Sequence, residues 1–398
     1  MQGAFREVLG EARDYGQSLR RRLDLVLRQD VLPVLGRELG RWARGDGRDL
    51  TVDTVRAELE SGALLFVFRA LFLLYAESAG HLPMTNPTYR SKSLTRIAER
   101  AYEERDDADP ASTALWDDIG SLIKRMRTGH TAWELPAYNG DLFAPSVVIG
   151  AAVLEDAEIP DAALVPALVA LARDVDDPET GVDFSGLEIG HLGYVYEGLL
   201  SLRLSVADRG YVYDVKADRY VPPAVGEAAE IVAGDLLWLT NEGGRKGAGV
   251  YYTRTELVRH LVRGAVRPAF DRHLADVREL AARDPESAAH RLFDFHVLDP
   301  ACGSAHFLVE VVDELADKIA TLLGAVALPA VREQLDALRA QAAQFGAGIE
   351  DTALLKRLVL KRCVYGVDLS PMGAEIAKIS LWLASFCLLY TSPSPRDS

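Results

Sequence analysis

The sequence predicts an α/β chain in two parts: a mainly helical region over residues 1–240, then an incomplete parallel-sheet domain over 241–386. Three observations predict it. The first part carries apolar residues at helical spacing, and Leu64-Leu65-Phe66-Val67-Phe68-Arg69-Ala70-Leu71-Phe72-Leu73-Leu74-Tyr75 is apolar nearly all round. Such a helix is buried in a bundle. A glycine-rich hinge, Asn241-Glu242-Gly243-Gly244-Arg245-Lys246-Gly247-Ala248-Gly249, then marks a change of grammar. Beyond it strands and helices alternate, the pattern of a parallel sheet.

In chain order, Leu19 to Trp42 and Val55 to Glu77 read as helices. Arg90 to Pro110 is polar and peripheral, and Ile189 to Val206 reads as a further helix. Tyr211 to Val215 alternates like a strand and turns back at Tyr220-Val221. After the hinge, Thr255 to Leu274 is a helix capped by Thr253 or Thr255. A strand is expected from Phe295 to Asp299 and a helix from Ala305 to Leu323. A helix from Leu328 to Phe345, with Pro329 in its first turn, forms an insertion. A second strand runs from Cys363 to Asp368, followed by a helix from Pro371 to Phe386. The tail, residues 387–398, supplies no strand and looks like translated library adapter; it is expected to be non-native.

Composition bounds the function. No apolar run is read as a membrane span, and no signal peptide is read at the start. The three cysteines, Cys302, Cys363 and Cys387, form neither a metal spacing nor a disulfide framework, which implies a reducing cytoplasm. The net charge of −15 argues against a generally basic nucleic-acid binder. From Ala101 to Gly190, however, 5 Lys/Arg face 19 Asp/Glu, so the rest of the chain is near neutral. The charge alone decides nothing about DNA.

The chemistry gathers near residue 300. The run Val297-Leu298-Asp299-Pro300-Ala301-Cys302-Gly303-Ser304-Ala305-His306 outlines a strand, a small-residue turn and a helix start. That arrangement leaves helix N-terminal N–H groups facing a ligand. Asp299 at a strand end can meet a cationic amino group, or cap a helix. Asp368 at the next strand end can accept both hydroxyls of a ribose, or cap the helix after it. His306 reads as a helix-start packing residue and Cys302 as a small core residue. Asp214-Val215-Lys216 bears a faint likeness to the acid-x-Lys metal site of restriction nucleases, a short pattern of low specificity.

Three segments in order, Gly249-Val250-Tyr251-Tyr252-Thr253, Asp299 to Ser304, and Val364-Tyr365-Gly366-Val367-Asp368-Leu369-Ser370-Pro371, resemble the motifs of N6-adenine DNA methyltransferases. The wider chain resembles the type IIG restriction–modification class. Leu73-Leu74-Tyr75-Ala76-Glu77 with Gly80-His81-Leu82-Pro83 resembles its helical connector, and Tyr196-Glu197-Gly198-Leu199-Leu200 a segment before the methylase domain. The resemblance covers nearly everything from Val8 to Phe386. It implies an incomplete Rossmann-like S-adenosylmethionine-dependent methyltransferase domain preceded by a helical domain. It implies that Asp299, Pro300, Ala301, Cys302 and Gly303 line the methionine moiety, that Thr253 holds its amino-acid end, and that Asp368 binds the ribose.

Two positions depart from the family pattern: Ala305 stands where Gly is usual, and Arg254 where Pro is usual. Ala suffices unless its position requires φ > 0. The family's base-binding Asn/Asp-Pro-Pro-aromatic motif does not follow Asp368; Asn86-Pro87-Thr88-Tyr89 lacks the second proline and reads as a turn. The resemblance therefore implies a fragment that is inactive alone and reaches double-stranded DNA through a missing C-terminal region. Two other readings stand beside it. One is an NAD(P)-dependent oxidoreductase, which would carry more glycines in the turn than Gly303. The other is a non-enzymatic helical scaffold with a degenerate nucleotide fold.

Overall fold

The computed structural model describes residues 15–385, apart from 139–140, 145–149, 175–176, 178, 188, 215, 218, 241–252, 254 and 344–350. The hinge at 241–249, Tyr251, Tyr252, Arg254 and the tail 387–398 therefore lie outside the described residues. The chain divides into two compact units. One comprises Met1–His191 with Gly198–Val250, the other Leu192–Glu197 with Tyr251–Ser398.

The first unit is helical with two small antiparallel sheets. Helix α1, residues 15–26, runs through a π-helical turn, Leu27–Val31, into α2, Leu32–Gly45. The widened turn is closed by Leu32 N–H donating to the Leu27 carbonyl, immediately before Pro33, which has no N–H to give. Helix α3, Asp53–Ser78, is buried from Gly62 to Glu77. It also corrects the composition reading. By length and a mean hydropathy of 1.7 this helix could cross a membrane, but 83% of that stretch is buried inside the unit. Its apolar circumference is spent on neighbouring helices.

Glu77 at the end of α3 shows what a fully buried carboxylate requires. Its oxygens accept from the Tyr89 hydroxyl, Leu94 N–H, Thr95 N–H and Thr95 Oγ1, all at 2.7–2.9 Å. Two of those donors are first-turn N–H groups of α5, Leu94–Glu103, after α4, Pro87–Arg90. Asn86 caps α4 by accepting from Thr88 and Tyr89 N–H, so the Asn-Pro-Thr-Tyr turn is a structural cap. The stretch expected to be peripheral is only half so, since Leu94, Ile97, Ala98 and Ala101 are buried. Helices α6, Ala114–Thr128, α7, Ala151–Asp156, and α8, Asp161–Ala172, complete the bundle.

The expected helix Ile189–Val206 is two elements. Helix α9, Ile189–Leu200, comes first, and Leu202–Val206 forms β1, whose alternating Leu202, Leu204 and Val206 suit a strand. It pairs antiparallel with β4, Leu236–Thr240, a strand not foreseen. Between them β2, Val212–Asp214, and β3, Arg219–Val221, form the expected hairpin. Asp214 Oδ1 accepts from Lys216 and Ala217 N–H, which makes the Asp-x-Lys pattern a turn cap. Among the described residues no His/Cys/Asp/Glu group could hold a metal ion.

In the second unit the expected helix Thr255–Leu274 breaks into α10, Thr255–Ala265, and α11, Arg267–Ala281. Pro268 explains the break, lacking an N–H and clashing with the turn before it. Helix α12, Pro285–Leu292, capped by Asp284, leads to β5, Val297–Asp299. Then come α13, His306–Ala325, α14, Pro329–Ala343, and α15, Asp351–Cys363, which packs on α13. Strand β6, Val364–Gly366, lies parallel to β5 with Val297 opposite Val364 and Asp299 opposite Gly366; α16, Pro371–Ala384, follows. The α/β expectation holds here only coarsely. The described chain is helix-rich with three two-stranded sheets, and two parallel strands do not by themselves establish a Rossmann-like order.

Candidate functional site

The two parallel strands end at the same level and bring the predicted acidic residues together. Val367 N–H donates to the Asp299 carbonyl at 2.9 Å, and Cys302 N–H donates to the Val367 carbonyl at 3.0 Å, continuing the ladder past both strand ends. The turn between β5 and α13 is thereby tied to the chain after β6. Gly366 makes the close approach possible: a side chain there would begin 2.9 Å from Leu308 and 3.0 Å from Cys302 Sγ.

Both carboxylates act on backbone. Asp299 Oδ1 accepts from Ala301 N–H at 3.1 Å, bending the chain at Pro300. Asp368 Oδ2 accepts from Gly303 N–H at 2.9 Å and its Oδ1 from Ser370 N–H at 2.8 Å. Neither caps a helix: the cap of α16 is Ser370, whose Oγ accepts from Gly373 N–H. The helix-cap readings of Asp299 and Asp368 therefore give way to loop-bracing roles. A carboxylate oxygen can accept about two hydrogen bonds, so Asp368 keeps acceptor capacity beyond these.

The loop is bent at two left-handed residues, Gly303 with φ 50° and Ala305 with φ 63°. Cys302, Ser304 and Ala305 are buried, whereas Pro300 and Ala301 are exposed. Burial pushes the Cys302 thiol up to about 11, with the charges of Asp368 and Asp299 adding to it; it is a neutral thiol at pH 7. Thr253 is half-buried two residues before α10. At the start of α10, Thr255 Oγ1 lies 3.4 Å from His306 Nε2, so the two helix starts adjoin. Asp299, Cys302, Gly303 and Asp368 are thus brought together directly, and Thr253 only through its neighbour.

Sequence reasoning missed the support behind the loop. Residues Leu192–Glu197 of α9 belong to this unit, and a side chain at Gly193 would begin 3.0 Å from Ser304 Oγ. The small residue at 193 is the signal that could have placed this helix against the turn.

A small-residue turn between a strand and a helix, faced by an acid after the neighbouring parallel strand, is the kind of place where open α/β sheets take up ligands. The comparisons give it a narrower setting. Residues 278–392 match the family described as the MmeI DNA-methyltransferase domain. A protein of Methanocaldococcus jannaschii named as a type II restriction enzyme and methyltransferase, RM.MjaORFECS2P, is 26% identical over 175 residues, 37% of this chain and 13% of that protein. The type IIL restriction–modification enzyme MmeI, solved in complex with DNA, superposes with a TM-score of 0.46 at 16% identity, covering 89% of this chain and 36% of that one. The likeness to restriction–modification methyltransferases drawn from the motifs is borne out: residues 278–392 match a DNA-methyltransferase family, and the curated relative is named as a restriction enzyme and methyltransferase. It spans only a small part of the length of the curated relative it matches.

Proposed function

We propose that this domain holds S-adenosylmethionine for methyl transfer to adenine N6 in DNA, as part of a cytoplasmic restriction–modification polypeptide. The observation that carries the reading is the convergence of Asp299, Gly303 and Asp368 at the carboxyl ends of parallel strands, where open α/β sheets gather ligands. When bound, S-adenosylmethionine supplies an electrophilic methyl group. Asp368 accepts from its ribose hydroxyls, and Asp299 faces its ammonium group. The small side chains of Ala301, Cys302 and Gly303, with Pro300, let the backbone approach the methionine portion, and Thr253 holds the amino-acid end. Asp299 at the turn suits a ligand with a cationic ammonium better than one bearing a pyrophosphate, and the turn has only Gly303 as its glycine, which together favour this reading over a nicotinamide cofactor.

Double-stranded DNA is the substrate in this reading. The chain by itself binds cofactor without methylating DNA, since no Asn/Asp-Pro-Pro-aromatic motif follows Asp368. Titration calorimetry with S-adenosylmethionine and with NADP tests the cofactor. Asp368→Ala is expected to lose roughly 1–3 kcal/mol of binding, while Asp276→Ala, an exposed site on α11, leaves it unchanged. Equal affinities for all three proteins would remove Asp368 from the site, and preferential binding of NADP would move the domain to the oxidoreductase class. Label transferred to adenine by this chain would overturn its inactivity.

A further inference from the structure

A cavity of about 460 Å³ opens in the first unit between α3, α6 and the end of α7. Its wall on α6 follows helical spacing, with Trp116, Gly120, Ile123 and Arg127 on one face. Gly120 makes the hollow, because nothing lies within 4 Å of where its side chain would be. Phe66 and Trp116 stack in parallel against it, ring centroids 5.3 Å apart. The indole is fixed by Nε1 donating to the Ala157 carbonyl at 2.7 Å.

Arg69 reaches this cavity from the middle of α3 while only 3% exposed. Its Nε donates to the Leu142 carbonyl at 2.8 Å, and its guanidinium lies 6.0 Å from the Phe143 ring. Among the described residues no carboxylate pairs with it. Glu155, the acid that acts on it most, is paired with Arg127 at 3.5 Å. Burial pushes the guanidinium down to about 10, Arg127 adds to this and Glu155 opposes it. A buried cation without a counter-anion costs several kcal/mol, and an anion brought to its terminal nitrogens offsets that cost.

We propose that this cavity binds a small organic monocarboxylate, its carboxylate held by Arg69 and its apolar body against Phe66 and Trp116. The charge of the lining sets the class. Arg69, Lys124 and Arg127 are answered by Asp117, Glu155, Asp156 and Glu158, so a single negative charge is accepted at the floor and a polyanion is repelled at the rim. Nucleotides and nucleic-acid strands are excluded on that ground.

The test uses the full chain and three phenyl probes, 3-phenylpropionate, its alcohol 3-phenylpropan-1-ol and the dianion phenyl phosphate, titrated by calorimetry. The carboxylate should bind about tenfold or more tightly than the alcohol and the phosphate, the difference expected of one charge-assisted contact. Arg69→Met should abolish that preference. Gly120→Leu, which fills open space on a helix, should remove binding with the fold intact by circular dichroism, so the proposal is decided even if Arg69→Met fails to fold. Equal binding of carboxylate and alcohol would overturn the proposal. So would undiminished binding in Gly120→Leu, or no binding of the carboxylate at about 10 mM.

Discussion

Ala305 is fully buried with φ 63°, in a region where a side chain costs about 1–2 kcal/mol. The departure from glycine at this position is therefore strained. Burying its methyl group returns about 0.8 kcal/mol, so the two effects nearly cancel. Ala305→Gly is expected to shift stability by less than about 1 kcal/mol in urea unfolding, whereas Ala305→Val, branched in a left-handed site, should cost more than about 2. A larger loss for Gly than for Val would contradict the strain argument. Its neighbour Cys302 is a second residue-scale case. A folded-state thiol raised to about 11 by burial and two carboxylates holds its proton longer than the unfolded chain does. Its contribution to stability is thus complete below the unfolded pKa and lost as pH rises toward 11. Cys302→Ala should flatten part of the decline in melting temperature above pH 9, and alkylation of the native thiol should stay slow until the solution is strongly alkaline.

At the scale of elements, helix α2 meets β4 through glycines. A side chain at Gly36 would begin 3.0 Å from Trp238 Nε1, which donates to the Leu32 carbonyl at 2.7 Å. Gly45, at the end of the same helix, has nothing within 4 Å. Helix propensity favours alanine at either place by about 1 kcal/mol. Against the anchored indole, overpacking of about 1–3 kcal/mol outweighs that gain. Gly36→Ala should therefore destabilise and Gly45→Ala stabilise in urea titrations, and the same sign for both would remove the contact from the account. Such close approaches are not legible in the sequence, because they join residues about two hundred positions apart. What was legible were elements with strong local signals: the all-round apolar α3, the β2–β3 hairpin, Pro329 opening α14, and the strand ending at Asp299. The strand expected from Cys363 to Asp368 is shorter, Val364–Gly366, because Cys363 closes α15 and Asp368 turns away to brace the loop. Strand β4 was missed because Leu-Leu-Trp-Leu shows no alternation, and β1 was absorbed into a helix because leucines continue past the helix end at Leu199, Leu200, Leu202 and Leu204 with no glycine or proline between them. In the site, spacing and residue type found the two carboxylates. Their hydrogen bonds to Gly303 and Ala301, and the sign of φ at Ala305, depend on backbone geometry that no spacing reveals.

For the whole molecule, the question is where a bound cofactor would act. Anything that binds only the folded state stabilises it by mass action, about 2.7 kcal/mol at a hundredfold excess over Kd. The groups proposed to hold S-adenosylmethionine all belong to the second unit: the turn after β5, the chain after β6 and Thr253, two residues before α10. The first unit keeps its own core around α3. Saturating cofactor should therefore slow amide exchange in peptides covering Val297 to Ala305 and Val364 to Ser370. Peptides from α3 should be unchanged, since their protection rests on apolar burial that the ligand does not touch. Gly303 N–H is the sharpest single probe, because it is already bonded to Asp368 and would report any change at that carboxylate. In Asp368→Ala the cofactor-induced protection should fall along the turn while the exchange of α3 stays constant. Protection spreading equally through both sets of peptides would place the ligand elsewhere.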